Sequence, residues 1–284
     1  MTNIKKLEAT ASQVRRDIIR MVTVCNSGHP GCSLGAADIV TALYFNVMDV
    51  DPANFTMKGL GEDVYYQSNG HMSPLLYSVL ARRGYFPLQE LGTFRVMGSR
   101  LQGHPTPAKG LPGVRVASGS LGQGLSCAIG HALAKKLDGD DHKVFTMVGD
   151  GELQEGQIWE AAQFATGRQV DNIVAIVDWN GQQIDGPTSE VMPEGDGSLR
   201  AKWEAFGWRV LEVDGNDMAE VVKTLSYAKE NATGKGRPVM ILARTVMGKG
   251  VDFMEGTHEY HGKVPGADKI KIALDQLKET LGDY

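Results

Sequence analysis

Two oxygen-bearing side chains, Asp150 and Asn180, stand about thirty residues apart, each directly after a run of apolar residues. Val144 to Val148 leads into Gly149-Asp150-Gly151. Ile173 to Val177 leads into Asp178-Trp179-Asn180-Gly181-Gln182. The residues between the two runs read as a helix, so the unit is strand–helix–strand with a hard oxygen ligand at the carboxyl end of each strand. In parallel α/β sheets, ligands bind at that edge. A carboxylate and an amide oxygen on neighbouring loops suit an oxygen-preferring cation such as Mg2+, whose octahedron is usually completed by a substrate's phosphates and water. The flanking glycines let backbone come close to a diphosphate. Gly-Asp-Gly alone is also an ordinary turn; it is the placement of both halves at strand ends that points to a ligand.

A second group of residues has titratable side chains. The chain holds seven histidines, and three of them, His29, His71 and His104, each follow a glycine in a segment that reads as loop. His29 lies in Ser27-Gly28-His29-Pro30-Gly31, just ahead of a helix start, where an anion is favoured. A fourth, His261, precedes Gly262. A neutral imidazole donates from one nitrogen and accepts at the other near neutral pH. Singly, each reads as an incidental loop residue; as a set they are candidates for proton handling. Gly119-Ser120-Leu121-Gly122-Gln123-Gly124 opens a further helix. Its glycine spacing is not that of a dinucleotide fingerprint, and no clear apolar strand precedes it. Two readings stay open there: a phosphate-binding helix start, and tight packing through small residues. No Walker A pattern occurs.

The elements that must position these residues follow from periodicity. Helices are expected over residues 7–24, from Leu34 to Val47 with Ser33 as cap, from Ser73 through Arg83 with Gly84 as stop, up to Leu137, from Leu199 to Phe206, from Val221 to Lys229 and over residues 267–282. Strands are expected at Asp63 to Ser68, Val144 to Val148, Ile173 to Val177, Trp208 to Val213 and Pro238 to Val246. Strands separated by helices require an α/β fold with a mainly parallel sheet and helices on both faces. Residues 86–115 are a long irregular connection, a feature often tied to function. No linker or repeat interrupts the pattern, so one domain over residues 1–284 is expected, with its core at about 7–265 and a C-terminal helix at about 267–282.

Composition narrows the class. A net charge of −5 with no basic cluster argues against nucleic acid. No apolar stretch approaches a membrane span, and the Met-Thr-Asn-Ile-Lys-Lys start lacks a signal-peptide core. Cys25, Cys32 and Cys127 are odd in number and form no CxxC, so a reduced, cytoplasmic chain is expected. Glycine is in excess, 35 of 284 residues, as befits loops that approach a ligand.

The wording from Gly149 to Glu160 resembles transketolase, specifically its N-terminal, thiamine diphosphate-binding domain. The resemblance runs in collinear order through Ser27 to Gly31, Gly70-His71, Gly103-His104-Pro105, Gly119 to Gly124, Gly149 to Gly151, Asp178-Trp179-Asn180 and His261-Gly262. It implies thiamine diphosphate and Mg2+ as cofactors, with the metal held by Asp150, Asn180 and the carbonyl of Gln182. It implies cofactor contacts from His71, Gly119, Ser120, Leu121, Gly149, Gly151, Glu152 and His261, and catalytic roles for His29, His104 and His261 around the reactive carbon. Glu155 and Glu160 match carboxylates of the family's interface network, and equally suit exposed helix positions. The chain departs from the family at Asn69, where Lys is usual, and at Tyr260, where Trp is usual. It also lacks the pyrimidine-binding domain that longer members carry. The resemblance therefore implies the N-terminal subunit of a split transketolase. Paired in an α2β2 heterotetramer with a C-terminal transketolase subunit, it would move a two-carbon glycolaldehyde unit from a ketose to an aldose, with sugar phosphates as substrates. The α-subunit of a 2-oxo acid dehydrogenase E1 component shares Gly-Asp-Gly but favours Asn-Asn where Trp179-Asn180 stands. Deoxyxylulose-phosphate synthase words its histidine loops differently. The intact Asp150/Asn180 pair together with the four pocket-type histidines weighs against a non-catalytic thiamine diphosphate-binding or scaffold paralogue.

Overall fold

Five parallel strands build the sheet of the computed structural model, which describes residues 2–193 and 198–284. In chain order they are β1 (Val64–Gln67), β2 (Val144–Gly149), β3 (Ile173–Trp179), β6 (Arg209–Asp214) and β7 (Val239–Arg244), and across the sheet they run β1-β2-β3-β7-β6. Gln182–Gln183 (β4) and Gly186–Pro187 (β5) form a small antiparallel ribbon beyond the end of β3. The helices are α1 (Ile4–Val24), α2 (Pro30–Gly35), α3 (Ala37–Ala42), α4 (Ser73–Arg83), α5 (Gln123–Asp138), α6 (Gly156–Gly167), α7 (Thr188–Val191), α8 (Leu199–Ala205), α9 (Met218–Tyr227) and α10 (Ala267–Gln276).

Successive side chains of a strand point to opposite faces, so the apolar runs of β2, β3 and β7 feed two cores. Val144, Val148, Ile173, Ala175, Val177, Met240 and Leu242 pack with α5, α6 and α8. Phe145, Met147, Val174, Ile176, Val239, Ile241 and Ala243 pack with α1, α3, α4 and α9. The path explains the split. The chain advances across the sheet from β1 to β2 to β3 and on to β6, then steps back to β7; right-handed crossovers put the connection of that backward step on the other face. The expected α/β class, with a mainly parallel sheet and helices on both faces, is what the structure has.

Two expected elements differ. The helix predicted from Leu34 under a Ser33 cap instead begins at Pro30, because Pro at a first helical position sets φ without forfeiting a bonded N–H. Ser33 then sits inside α2, and its hydroxyl donates to the carbonyl of His29 at 2.7 Å. A break at Ala36 (φ −88°, ψ 6°) separates α2 from α3, and residues Leu43–Val47 continue as a π turn. The C-terminal helix ends at Gln276 rather than near 282. There the Arg16 guanidinium donates to the carbonyls of Leu274 (2.6 Å) and Leu277 (2.7 Å), Leu277 turns inward, and Asp283 accepts from Arg16 at 2.7 Å. The strand edges fall within a residue or two of expectation.

The glycine-rich start of α5 packs against the end of β1. A Cβ at Gly124 would lie 2.5 Å from the Ser68 Cα. Backbone cannot yield as a side-chain tip can, so Gly124→Ala is expected to lower unfolding free energy by about 1–3 kcal/mol. A denaturant midpoint unchanged from wild type would contradict that packing.

Candidate functional site

The carboxyl ends of β1, β2 and β3 open into a cleft of about 420 Å³. Asp150 follows β2 directly. Its Oδ1 accepts from the Gly151 N–H at 2.8 Å and its Oδ2 from the Gly181 N–H at 2.6 Å, which draws the two strand-end loops together. Asn180 Oδ1 accepts from the Gln182 N–H at 2.9 Å, and its Nδ2 donates to Asp178 Oδ2 at 3.1 Å. Asp178 is itself buried and accepts from the Thr245 hydroxyl. It therefore fixes which end of the Asn180 amide is the oxygen.

These two carboxylates give the electrostatics of the floor. Burial, and then the charge of Asp178, raise the Asp150 carboxyl to about 7. Burial raises Asp178 to about 6, against the bond from Thr245. Neither carboxylate has a Lys or Arg partner among the described residues. Two desolvated carboxylates with no protein cation, beside an amide oxygen, are the donor set that a hard divalent cation relieves. The residues present fit Mg2+ on that ground.

Glu152 lies in the same loop, and its oxygens are already engaged. Oε1 accepts from the Ser68 hydroxyl and from the Gly122 N–H (2.7 Å), and Oε2 from the Gly149 N–H (3.0 Å). Gly124 N–H in turn donates to Ser68 at 3.0 Å. Two amides at the start of α5 are thus spent on protein groups, and the small-residue packing reading accounts for Gly122 and Gly124.

The histidines converge on the other side of the cleft. His29 immediately precedes α2 without a capping bond from its ring, His71 sits in the turn Gly70–Met72 after β1, His104 comes from the long connection, and His261 follows the turn His258–Tyr260. The His29 ring centroid lies 5.1 Å from His71, 5.7 Å from His261 and 6.2 Å from His104, and His71 and His261 are 5.0 Å apart. Gly119 (φ +126°) passes so near that a Cβ there would sit 2.7 Å from the His104 ring. Burial holds His29 and His261 down to about 4; His261 and Arg95 add to the effect at His29. His71 and His104 are also lowered, chiefly by burial. All four rings are neutral at neutral pH. Nδ1 of His29 and of His261 is buried without a hydrogen-bond partner, as is Asn69 Oδ1, all in side chains that line the cleft.

Proton NMR should find the His29 and His261 rings titrating near pH 4 instead of near 6.5. With the folded value below the unfolded one, the stability these two contribute is present above about pH 6.5 and lost as pH falls towards 4. Titration at an ordinary histidine value would show that the cluster is wetter than the structure has it.

Of the residues singled out from the sequence, His29, His71, His104, Gly119, Leu121, Gly149, Asp150, Gly151, Glu152, Glu155, Asn180, Gln182 and His261 all line this cleft. Ser120 and Glu160 are exposed and stand outside the lining. Sequence reasoning passed over Cys32, Asp178 and the β4–β5 ribbon residues Gln183 and Ile184–Asp185, which also line it. Asp178 carried a signal, as an acid closing an otherwise apolar strand; Gln183 carried none, since its place depends on the 2.5 Å bond that Gln154 Nε2 donates to its Oε1. Beside the floor, the Arg244 guanidinium lies 3.8 Å from the Trp179 ring centroid.

A parallel sheet with hard oxygens and a neutral histidine cluster at its carboxyl edge fits a cofactor-binding domain. The comparisons agree. Residues 7–282 match the family described as "Transketolase, thiamine diphosphate binding domain". The chain is 40% identical to an apulose-4-phosphate transketolase subunit of Actinobacillus succinogenes, over 96% of each chain. It is 39% identical to the 6-deoxy-6-sulfo-D-fructose transketolase subunit SqwG of a Clostridium species, again over 96% of each. Against the transketolase of Homo sapiens it is 37% identical, covering 92% of this chain but 40% of that protein. The crystal structure of Campylobacter jejuni transketolase superposes with a TM-score of 0.88 at 37% identity, over 97% of this chain and 43% of that one. The chain belongs to the transketolase family, as its thiamine diphosphate-binding domain, and spans about two-fifths of the full-length transketolases it matches. No helix among the described residues is long and apolar enough to cross a membrane.

Proposed function

We propose that this chain is a single-domain, cytoplasmic, cofactor-binding subunit of a two-part transketolase. It would act with a C-terminal pyrimidine-binding subunit in an α2β2 assembly to move a glycolaldehyde unit from a ketose phosphate to an aldose phosphate. The observation that carries this is one cleft that joins the Asp150/Asn180 floor to four neutral histidines in a chain matched end to end by relatives named as subunits. Asp150, Asn180 and the carbonyl of Gln182 hold Mg2+, and Asp178 orients the Asn180 amide for it. Gly149 and Gly151 let backbone approach the diphosphate. Gly119 does so beside His104, Leu121 gives an apolar wall, and His71 stands on the cofactor side.

Thiamine diphosphate, when bound, supplies the carbon nucleophile that the side chains of this family lack. What the chain's own residues do there is hold protons. His29, His104 and His261 present uncharged rings to substrate hydroxyls, each able to accept a proton at one nitrogen and return it from the other. The His29, His104 and His261 side chains all line the cleft that a polyhydroxylated substrate would enter. Glu155, exposed at the rim, faces the region a partner would cover.

Ketol transfer from xylulose 5-phosphate to ribose 5-phosphate, measured with thiamine diphosphate and Mg2+, tests the reading. No activity is expected from the chain alone, and turnover is expected once its C-terminal subunit is added. Turnover by the chain alone would sink the two-part assignment; pyruvate decarboxylation by the mixture in place of ketol transfer would sink the reaction.

A further inference from the structure

One corner of the cleft has a chemistry that the oxygen floor does not share. Among the described residues, Cys32, His71 and His261 each offer a ligand atom, and these atoms lie within 4.8 Å of one another. They arrive from three separate elements: α2, the turn after β1 and the turn His258–Tyr260. The Cys32 thiol is 2% exposed, lines the cleft, and has only a 3.9 Å contact to the His29 carbonyl. The His261 Nδ1 is buried and has no partner. The His29 ring stands 5.1 Å from His71 and 5.7 Å from His261, within reach of a fourth position.

A thiolate with two imidazoles selects a soft or borderline ion of tetrahedral habit, Zn2+ above all, and offers little to Mg2+. We propose that Cys32, His71 and His261 form a Zn2+ site within the cleft, with His29 or a water as fourth ligand, and that Zn2+ there excludes the cofactor. On binding, the Cys32 thiol gives its proton to solvent and both imidazoles bind as neutral donors, so occupancy releases one proton. The cleft then accepts two cations of opposite preference. A hard ion on Asp150 and Asn180 accompanies the cofactor; a borderline ion on the Cys–His–His corner shuts it out. Zn2+ binding by itself is independent of the proposed function; only the exclusion rests on that reading.

Co2+ serves as an optical stand-in for Zn2+. Titrated into the full-length apo chain, it should give a near-ultraviolet thiolate charge-transfer band and the visible bands of a tetrahedral site, at one ion per chain, all bleached by Zn2+. Cys32→Ser should remove the charge-transfer band and weaken Zn2+ affinity on the order of 100-fold, read by competition with a chromophoric chelator, and Cys32→Ala should do the same. Cys127→Ser, at an exposed position on α5, should change neither. The absence of a thiolate band, or its persistence in both Cys32 variants, would overturn the site. Thiamine diphosphate with Mg2+, added together with the partner subunit, should displace Co2+. Retention of Co2+ while the cofactor binds would overturn the exclusion and leave the metal site standing.

Discussion

Asp150→Asn is expected to weaken thiamine diphosphate binding by the assembled complex on the order of 100-fold in the presence of Mg2+, as measured by calorimetry. The substitution keeps the shape and removes the one charged group of the floor that follows β2. An amide oxygen is a poorer ligand than a carboxylate for a hard cation whose shell carries only one or two protein oxygens. Unchanged affinity would show that the metal is held elsewhere. A second readout needs no cofactor. Burial and Asp178 raise the Asp150 carboxyl to about 7, above its unfolded value, so over that interval the folded state binds more protons than the unfolded one. Stability therefore falls as pH rises from about 4 to 7, by roughly 3–4 kcal/mol from this group. The histidines act in the opposite sense over much of that range. The informative quantity is thus the difference between wild type and Asp150→Asn, whose gap should shift in favour of the variant as pH rises. A gap that stays constant with pH would mean Asp150 ionises freely and that no cation is needed to relieve it.

The second large effect is expected at Glu152, which no substrate need touch. Its carboxylate accepts from Ser68, Gly122 and Gly149, and so ties the ends of β1 and β2 to the start of α5. Burial raises its carboxyl above the usual range, and the bonds from Ser68, Gly122 and Gly149 oppose that shift. Glu152→Ala strands a buried hydroxyl, the buried Gly122 amide and the half-buried Gly149 amide, each worth about 1–3 kcal/mol when unsatisfied, for a combined loss of about 3–5 kcal/mol in chemical denaturation. Glu152→Gln keeps one acceptor oxygen but turns an NH2 towards donors, and should fall between. A Glu152→Ala protein within about 1 kcal/mol of wild type would show that the knot does not hold the loops. The family resemblance implies a cofactor contact at Glu152; its two oxygens are engaged by Ser68, Gly122 and Gly149, and the residue lines the cleft.

What could be read from the chain, and what could not, follows from how far each effect reaches. Asp150 and Asn180 were legible because strand periodicity is local, and a parallel sheet then brings both strand ends to one edge. The Gly-His loops were legible as types, but their meeting in one cluster is a long-range fact that rested on the family resemblance. Ser33 misled because a hydroxyl ahead of an apolar run looks like a cap, while Pro30, three residues earlier, had already begun the helix. Residues 277–282 carry helix-compatible side chains; the helix stops because Arg16, far away in sequence, engages its last carbonyls. Strand order was not encoded in any local pattern. Cys32 was legible only as one of three unpaired cysteines, lying ahead of the expected helix, and only the fold brings it beside His71 and His261.

The placement of Trp179 has a practical consequence. Its indole lies under the Arg244 guanidinium and immediately precedes Asn180 in the chain, whereas Trp203 and Trp208 are sealed in the far core and the half-buried Trp159 packs on Trp203. A cationic neighbour tunes indole emission. The chain thus carries its own optical gauge one residue from the floor of the cleft, and a change in its emission can follow the filling of that cleft without a label.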